Sequence, residues 1–219
     1  VYAGMVEAMD QAVGTVLSGL KRLGLEKNTI VFFMSDNGGL STSEGHPTSN
    51  LPLRGGKGWM YEGGIREPMI VRWPGVTTAG SVCKQVVTST DFYPTILEMT
   101  GLKARPDQHR DGMSFVSLLK GGSRKRGPLL WHYPHYGNQG GAPAGAIREG
   151  QWKLIEWYED QRVELFDLEN DIGETRDLAK RQPDRARAMQ ATLHRMLKET
   201  GAVMPARNGR FDAKKREGR

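Results

Sequence analysis

Thr29-Ile30-Val31-Phe32-Phe33-Met34-Ser35-Asp36-Asn37-Gly38-Gly39 decides the architecture. Branched and aromatic apolar residues run unbroken from Ile30 to Met34, the length of a strand covered on both faces, and the run stops on an acid, an amide and two glycines. We read Thr29 to Met34 as a buried parallel strand. Upstream, Met5, Met9, Val13, Val16, Leu17, Leu20 and Leu23 recur at steps of three and four, the apolar stripe of a helix that Gly24 is placed to end. Helix followed by buried strand begins an α/β layer.

In open α/β sheets, ligands bind beyond the carboxyl ends of the strands, where Asp36 and Asn37 stand. A carboxylate beside an amide carbonyl supplies hard oxygen donors suited to Ca²⁺, with Mg²⁺ possible; the same pair could also close the strand as an Asx turn. Two residues cannot complete a shell of about six to eight oxygens, so further ligands must come from elsewhere. The segment 35–64 is rich in Gly, Ser, Pro and Asn and too long for an ordinary connection, which makes it a disordered stretch or a functional loop. Near its end, Leu53-Arg54-Gly55-Gly56-Lys57-Gly58-Trp59-Met60-Tyr61-Glu62-Gly63-Gly64-Ile65-Arg66-Glu67-Pro68 alternates glycines with charged and aromatic residues. Lys57, flanked by glycines, can reach an anion unobstructed, although the spacing is not that of a phosphate-binding P-loop; a tight surface turn fits the run equally well. His46, Asn50 and Arg54 lie between the Asp36-Asn37 pair and Lys57, in reach of an anionic substrate, while Glu62 and Arg66 read as a structural pair.

Working outward, Met69 to Trp73 and Val82 to Val87 read as further strands, the first closed by Pro74-Gly75. Thr90-Asp91 can cap a helix carrying Tyr93, Ile96, Leu97 and Met99, with Pro94 in its first turn and Gly101 at its end. A short helical stretch, Phe115 to Leu119, precedes the Gly121-Gly122-Ser123 break. Four strand-like pieces follow, Leu129 to Tyr133, Gly145 to Arg148, Trp152 to Trp157 and Val163 to Leu168, and consecutive strands indicate an antiparallel sheet. Pro183 opens a covering helix through about Thr200, with Met189, Leu193, Met196 and Leu197 on one face and Gly201 as its stop. The expected organisation is an α/β region over 1–123, a small α+β subdomain over 124–205 and a basic tail over 206–219.

His132 and His135, in Trp131-His132-Tyr133-Pro134-His135-Tyr136, form a polar-aromatic patch beside a glycine-rich loop. We read them as lining a substrate pocket, suited to sugars, in preference to a metal pair, because on a strand followed by Pro they need not face one way. An ordinary structural histidine is the third reading for each.

Of the chain's 219 residues 37% are apolar, a share that fits a globular domain, and no apolar run approaches the roughly 18 to 20 residues of a membrane span. Lys and Arg total 31 against 25 Asp and Glu, but six of the basic residues fall in Arg207 to Arg219, with no aromatic interleaving or nucleic-acid motif, so we expect a solvated tail and no nucleic-acid partner. Cys83 is the only cysteine, which rules out an intrachain disulfide, and its alternating context reads as a small core residue. The chain opens with helical periodicity already running and without an initiator Met, which reads as mid-domain.

Buried strand, Ser-Asp-Asn-Gly-Gly, polar loop, then Gly-Lys-Gly-x-x-Tyr-Glu-Gly-Gly-Ile-Arg-Glu-Pro and Trp-Pro-Gly together resemble the sulfatase family of the alkaline phosphatase superfamily. Asp91 to Gly101, Asp111-Gly112 with Leu118-Leu119, Ile147-Arg148 with Trp152 to Ile155, and Glu164 to Leu168 followed by Gly173-Glu174 extend that resemblance along most of the chain. It implies part of an alkaline-phosphatase-like α/β sandwich followed by the small antiparallel subdomain. It also implies Asp36 and Asn37 as calcium ligands, Lys57 as the contact to the sulfate ester, and a substrate that is a sulfated small molecule or glycan. The family's nucleophile is a formylglycine hydrate made within a Cys/Ser-x-Pro-x-Arg motif; this sequence holds no such motif, and Cys83 is followed by Lys84-Gln85-Val86. Catalysis by these residues alone is therefore not expected, and the resemblance implies export to the periplasm or outside the cell. Two other readings stay open: a phosphoester or phosphonate hydrolase of the same superfamily, and a noncatalytic glycan-binding relative.

Overall fold

The computed structural model describes residues 1–206, 208 and 209, so the expected basic tail lies, except for positions 206, 208 and 209, outside the described residues. The chain falls into two compact units: residues 1–35 with 68–126, and residues 36–67 with 127 onward.

In the first unit the apolar stripe near the amino end folds as α1 (Tyr2–Arg22), closed by Leu23 and by Gly24 at φ +69°, a left-handed turn that glycine accepts without a Cβ clash. The stripe stays uncovered among the described residues, with Met5 62% and Val16 63% exposed. Strand β1 (Val31–Met34) pairs antiparallel with β2 (Met69–Arg72), Val31 opposite Arg72 and Met34 opposite Met69. This corrects the expected buried parallel strand. The pairing puts β1 beside a single neighbour running the other way, and Phe33 and Met34 remain exposed.

Val82 to Val87 is not a strand, and Val82 and Cys83 are exposed where alternation suggested a paired and partly buried stretch. Alternation records a two-sided pattern, but a strand also needs a neighbouring edge to bond to, and none meets this segment among the described residues.

Phe32, Phe92 and Phe115 meet edge to face, ring centroids 5.4 to 6.5 Å apart. Helices α3 (Phe92–Met99) and α4 (Val116–Leu119) are held beside this cluster by a polar knot. The Thr95 hydroxyl donates to Asp91 O (2.6 Å) and accepts from the Phe115 amide (3.0 Å). Asp91 makes no side-chain cap bond to α3, contrary to its expected role. Its carboxylate, fully buried, turns back to accept from the Thr88 and Met113 amides and from Arg124 and Arg126. Burial alone pushes this carboxyl up, but the bonds from Arg126, Met113, Arg124 and Thr88 outweigh it and hold Asp91 below the usual carboxylate range.

The second unit carries the four expected strands as one antiparallel sheet, in the order β3 (Leu129–Tyr133), β4 (Ala144–Glu149), β5 (Trp152–Trp157), β6 (Val163–Asp167). Register follows the pleat. Ile147, Leu154 and Leu165 point to one face and pack under Met189, Leu193 and Leu197 of α5 (Pro183–Glu199). Ala144, Ala146, Ile155 and Phe166 point to the other and pack against Met60 and Tyr61, just before the short helix α2 (Glu62–Ile65). The long Gly-rich segment is thus an ordered loop seated on the sheet, on the face opposite α5.

Asp91→Asn removes the charge that two buried guanidinium groups require, and breaking such a pair costs roughly 3–5 kcal/mol. Because the native pKa of Asp91 is depressed, its stabilisation is present above the ordinary carboxylate value and is lost as pH falls through the native one. Urea unfolding at neutral and acid pH should show a lower midpoint for Asp91→Asn and a flatter acid dependence than the parent. Leu193→Ala empties fully buried volume between α5 and the sheet and should cost about 2–5 kcal/mol in the same measurement.

Candidate functional site

Asp36 and Asn37 follow the end of β1, and the backbone beyond them has no room for side chains. The Gly38 amide donates to Gly64 O (3.2 Å), and a Cβ on Gly38 would stand 1.8 Å from Gly63 O. The Lys57 amide donates to Gly39 O (3.2 Å), and a Cβ on Gly56 would stand 2.5 Å from that same carbonyl. The expected metal pair and Lys57 are therefore neighbours through one hydrogen bond, with the side chains of Asp36 and Lys57 both exposed.

Asn50 ties this crossing together. Its side-chain amide donates to Gly39 O (2.8 Å), Gly55 O (3.0 Å) and Ser41 Oγ (2.9 Å), three acceptors for two hydrogens. That amide is engaged on the scaffold. The Arg54 guanidinium lies 3.9 Å over the Tyr61 ring and donates to Glu174 O (2.9 Å), so it too is anchored by the protein. His46 bonds back to Ser41 O (2.8 Å).

A second loop meets Lys57 from the sheet. The Trp59 indole and the Thr42 hydroxyl both donate to Gln139 O (3.1 Å each), and a Cβ on Gly141 would stand 1.8 Å from Gly58 O. The β3–β4 connection is thereby laid against the backbone that carries Lys57.

Two features escaped sequence reading. Glu67, at the end of the Gly-rich run, has a carboxylate oxygen that is buried without a hydrogen-bond partner. Burial, and then the negative charge of Asp36, push its pKa up to about 7. Two mutually repelling carboxyl groups, one with an orphaned oxygen, suit a divalent cation, so the residues present fit the calcium that the sequence suggests. Among the described residues no three His, Cys, Asp or Glu side chains converge.

The other feature is a buried ionic cluster. Arg66 pairs with Glu62 at 3.5 Å, as expected, but the nearest charge to Glu62 is Lys153 Nζ at 3.0 Å, from β5. The only signal in the sequence is a lysine at an inward position of a strand whose neighbours Leu154 and Ile155 are fully buried.

His132 and His135 come together elsewhere, around a cavity of about 420 Å³ that they line with Pro134, Val203, Met204 and Pro205; none of these belongs to the 36–67 loop. His132 Nε2 faces Val203 O (3.0 Å), which can only accept, so Nε2 carries the proton and Nδ1 accepts from the Tyr158 hydroxyl (2.8 Å). Burial, and then Glu156, push the Tyr158 phenol up, keeping that donor protonated. Both nitrogens of His132 are engaged within the chain. The His135 ring meets Tyr133 edge to face at 5.5 Å.

Residues 1–102 match the family model described as sulfatase, and residues 56–202 match the one described as N-sulphoglucosamine sulphohydrolase, C-terminal. The chain is 41% identical over 216 residues to a sulfatase of Formosa agariphila, covering 90% of this chain and 37% of that protein. It is 36% identical over 157 residues to N-acetylgalactosamine-6-sulfatase of Mus musculus, covering 71% and 29%. It thus spans about a third of the length of these curated relatives. Among solved structures, Ps i-CgsB in complex with k-i-k-neocarrahexaose superposes with a TM-score of 0.78 at 34% identity, over 89% of this chain and 42% of that one. BT4656 in complex with its substrate D-glucosamine-2-N,6-O-disulfate does so with a TM-score of 0.74 at 27% identity, over 91% and 40%. Matched along nearly its whole length by the two family models, the chain belongs to the sulfatase family, of which it carries the carboxy-terminal portion.

Proposed function

We propose that the protein containing this chain hydrolyses sulfate esters of carbohydrates, with Asp36 and Asn37 as calcium ligands and Lys57 as the contact to the sulfate. The observation that supports this reading most directly is the Lys57 amide bonded to Gly39 O, which ties an ammonium-bearing loop to the oxygen donors at the end of β1. A sulfate ester carries its charge on nonbridging oxygens and builds more on the bridging oxygen as the bond to the alcohol breaks, so fixed positive charge lowers the barrier. Lys57 is exposed on a backbone bonded on both sides, which lets its ammonium meet an incoming anion without reordering the loop. A bound calcium ion would neutralise part of the same charge. The nucleophile, a formylglycine hydrate, belongs to sequence outside these residues.

The assignment of residues 1–123 to the end of the catalytic α/β region and of 124–205 to a small subdomain belongs to the same proposal, as does export to the periplasm or outside the cell. A sulfated sugar as substrate fits the disulfated glucosamine named as the substrate of BT4656. No helix of the described residues is long and apolar enough to cross a membrane.

The test is turnover of aryl sulfate and aryl phosphate by the full-length protein. Sulfatase activity that falls about 10²- to 10³-fold in Lys57→Ala is expected, the loss seen when one preorganised group facing developing charge is removed. Dominant phosphatase turnover would transfer the assignment to the phosphoester reading, and glycan binding without turnover would favour a noncatalytic relative. Calcium is followed separately by thermal denaturation: at a hundredfold excess over its dissociation constant it should add about 2.7 kcal/mol to the parent and much less to Asp36→Ala.

A further inference from the structure

Lys153 is fully buried, 0% exposed, on a sheet position where a hydrophobic residue would ordinarily sit. Its ammonium donates to Glu62 Oε1 (3.0 Å) and lies 2.9 Å from Glu174 Oε1, off the hydrogen-bonding direction. The other oxygen of Glu174 accepts from the Glu62 backbone amide (2.6 Å), and its backbone carbonyl accepts from Arg54 (2.9 Å). Arg148, beside Lys153 on β4, adds a longer contact to Glu62 at 3.4 Å. Apart from the Lys153–Glu174 contact, these bonds run to one short stretch of chain, residues 54–62, whose start is held at Arg54 and whose end is held at Glu62. Gly63 closes the stretch by donating to Arg54 O (2.8 Å). Lys57 stands in the middle.

We propose that Lys153 and Glu174 are positioning residues for Lys57, forming a charge clamp that fixes both feet of the 54–62 loop on the sheet. A buried ion pair gains little over a well-packed apolar pair, because desolvation consumes most of its attraction. What it supplies is direction: one ammonium meets both carboxylates in only one arrangement, whereas an apolar contact tolerates sliding. Glu174 itself sits at φ +50°, a conformation unfavourable for a side-chain-bearing residue, and it is held there with both its carboxylate and its carbonyl engaged on the loop. The clamp thus converts the rigidity of β5 into a fixed location for an exposed lysine several residues away.

This inference rests on Lys57 as the sulfate contact, and its test separates the two claims. Lys153→Met, close in length and without charge, and Glu174→Gln, which keeps the bond from the Glu62 amide, are compared with the parent in the full-length protein. The first arm is amide hydrogen exchange. Amides of residues 55–60 should exchange about tenfold faster or more in each variant, while those of α5 keep their protection. Equal acceleration in α5, or no change in the loop, overturns the clamp. The second arm is turnover of aryl sulfate, where kcat/KM should fall about 10²-fold, the scale expected when a catalytic group is displaced by about 1 Å. Full activity with a loosened loop overturns the positioning role. A parent protein that turns over no sulfate ester defeats the proposed function and leaves the exchange arm to decide the clamp.

Discussion

The placement of the 36–67 loop in the second unit depends on backbone lying directly on backbone. Gly38 against Gly63 and Gly64 against Trp59 O each leave less than 2.2 Å for the first atom of any side chain, and Gly63 against Gly55 O leaves 2.4 Å. No rotamer change relieves such a clash, because the obstructing atoms belong to the main chain and not to a flexible tip. The glycine pairs therefore fix how closely the segment after β1 can approach the Lys57 loop. That approach sets which polar groups share a neighbourhood: Asp36 and Glu67, Gly39 and Lys57, Asn50 and three acceptors.

Each unit also holds a buried charge cluster, and the two are built on different terms. Asp91 receives four donors and is held ionised, an arrangement in which one carboxylate ties together three chain segments, at Thr88, at Met113 and at Arg124 with Arg126. The Lys153 cluster has two carboxylates for one wholly buried ammonium, and burial, with Glu62 adding to it, raises the Glu174 carboxyl despite that ammonium. The first distribution favours a stable knot; the second leaves excess negative charge that the half-exposed Arg66 and the largely buried Arg148 offset.

Periodicity made the helices and the four-stranded sheet legible, because a stripe at three and four or an alternation at two survives whatever packs against it. The register of β1 was not legible. A continuous apolar run says that a strand is meant to be covered and nothing about which neighbour lies beside it, so its antiparallel pairing with β2 and its exposed Phe33 and Met34 could come only from the structure. Val82 to Val87 failed for the related reason that pattern without an edge makes no sheet. Around Lys57, spacing identified the loop but not the tasks within it. Asn50 and Arg54 looked available because they are polar and nearby, and they are engaged because backbone carbonyls face them. The Lys153–Glu62 pair joins residues 91 positions apart, a distance at which neither propensity nor local motif carries information.

The two-faced sheet has an evolutionary reading. On β5, Leu154 looks toward α5 while Lys153 and Ile155 look toward the loop, so adjacent codons answer to different selective demands. Substitutions drifting on the helix side alter how much of the molecule stays folded; those on the loop side alter where an ammonium stands. A lineage could thus retune its tolerance to heat by exchanging Met189 or Leu197 while its chemistry stays fixed. The opposite face of the same strands answers to the loop instead.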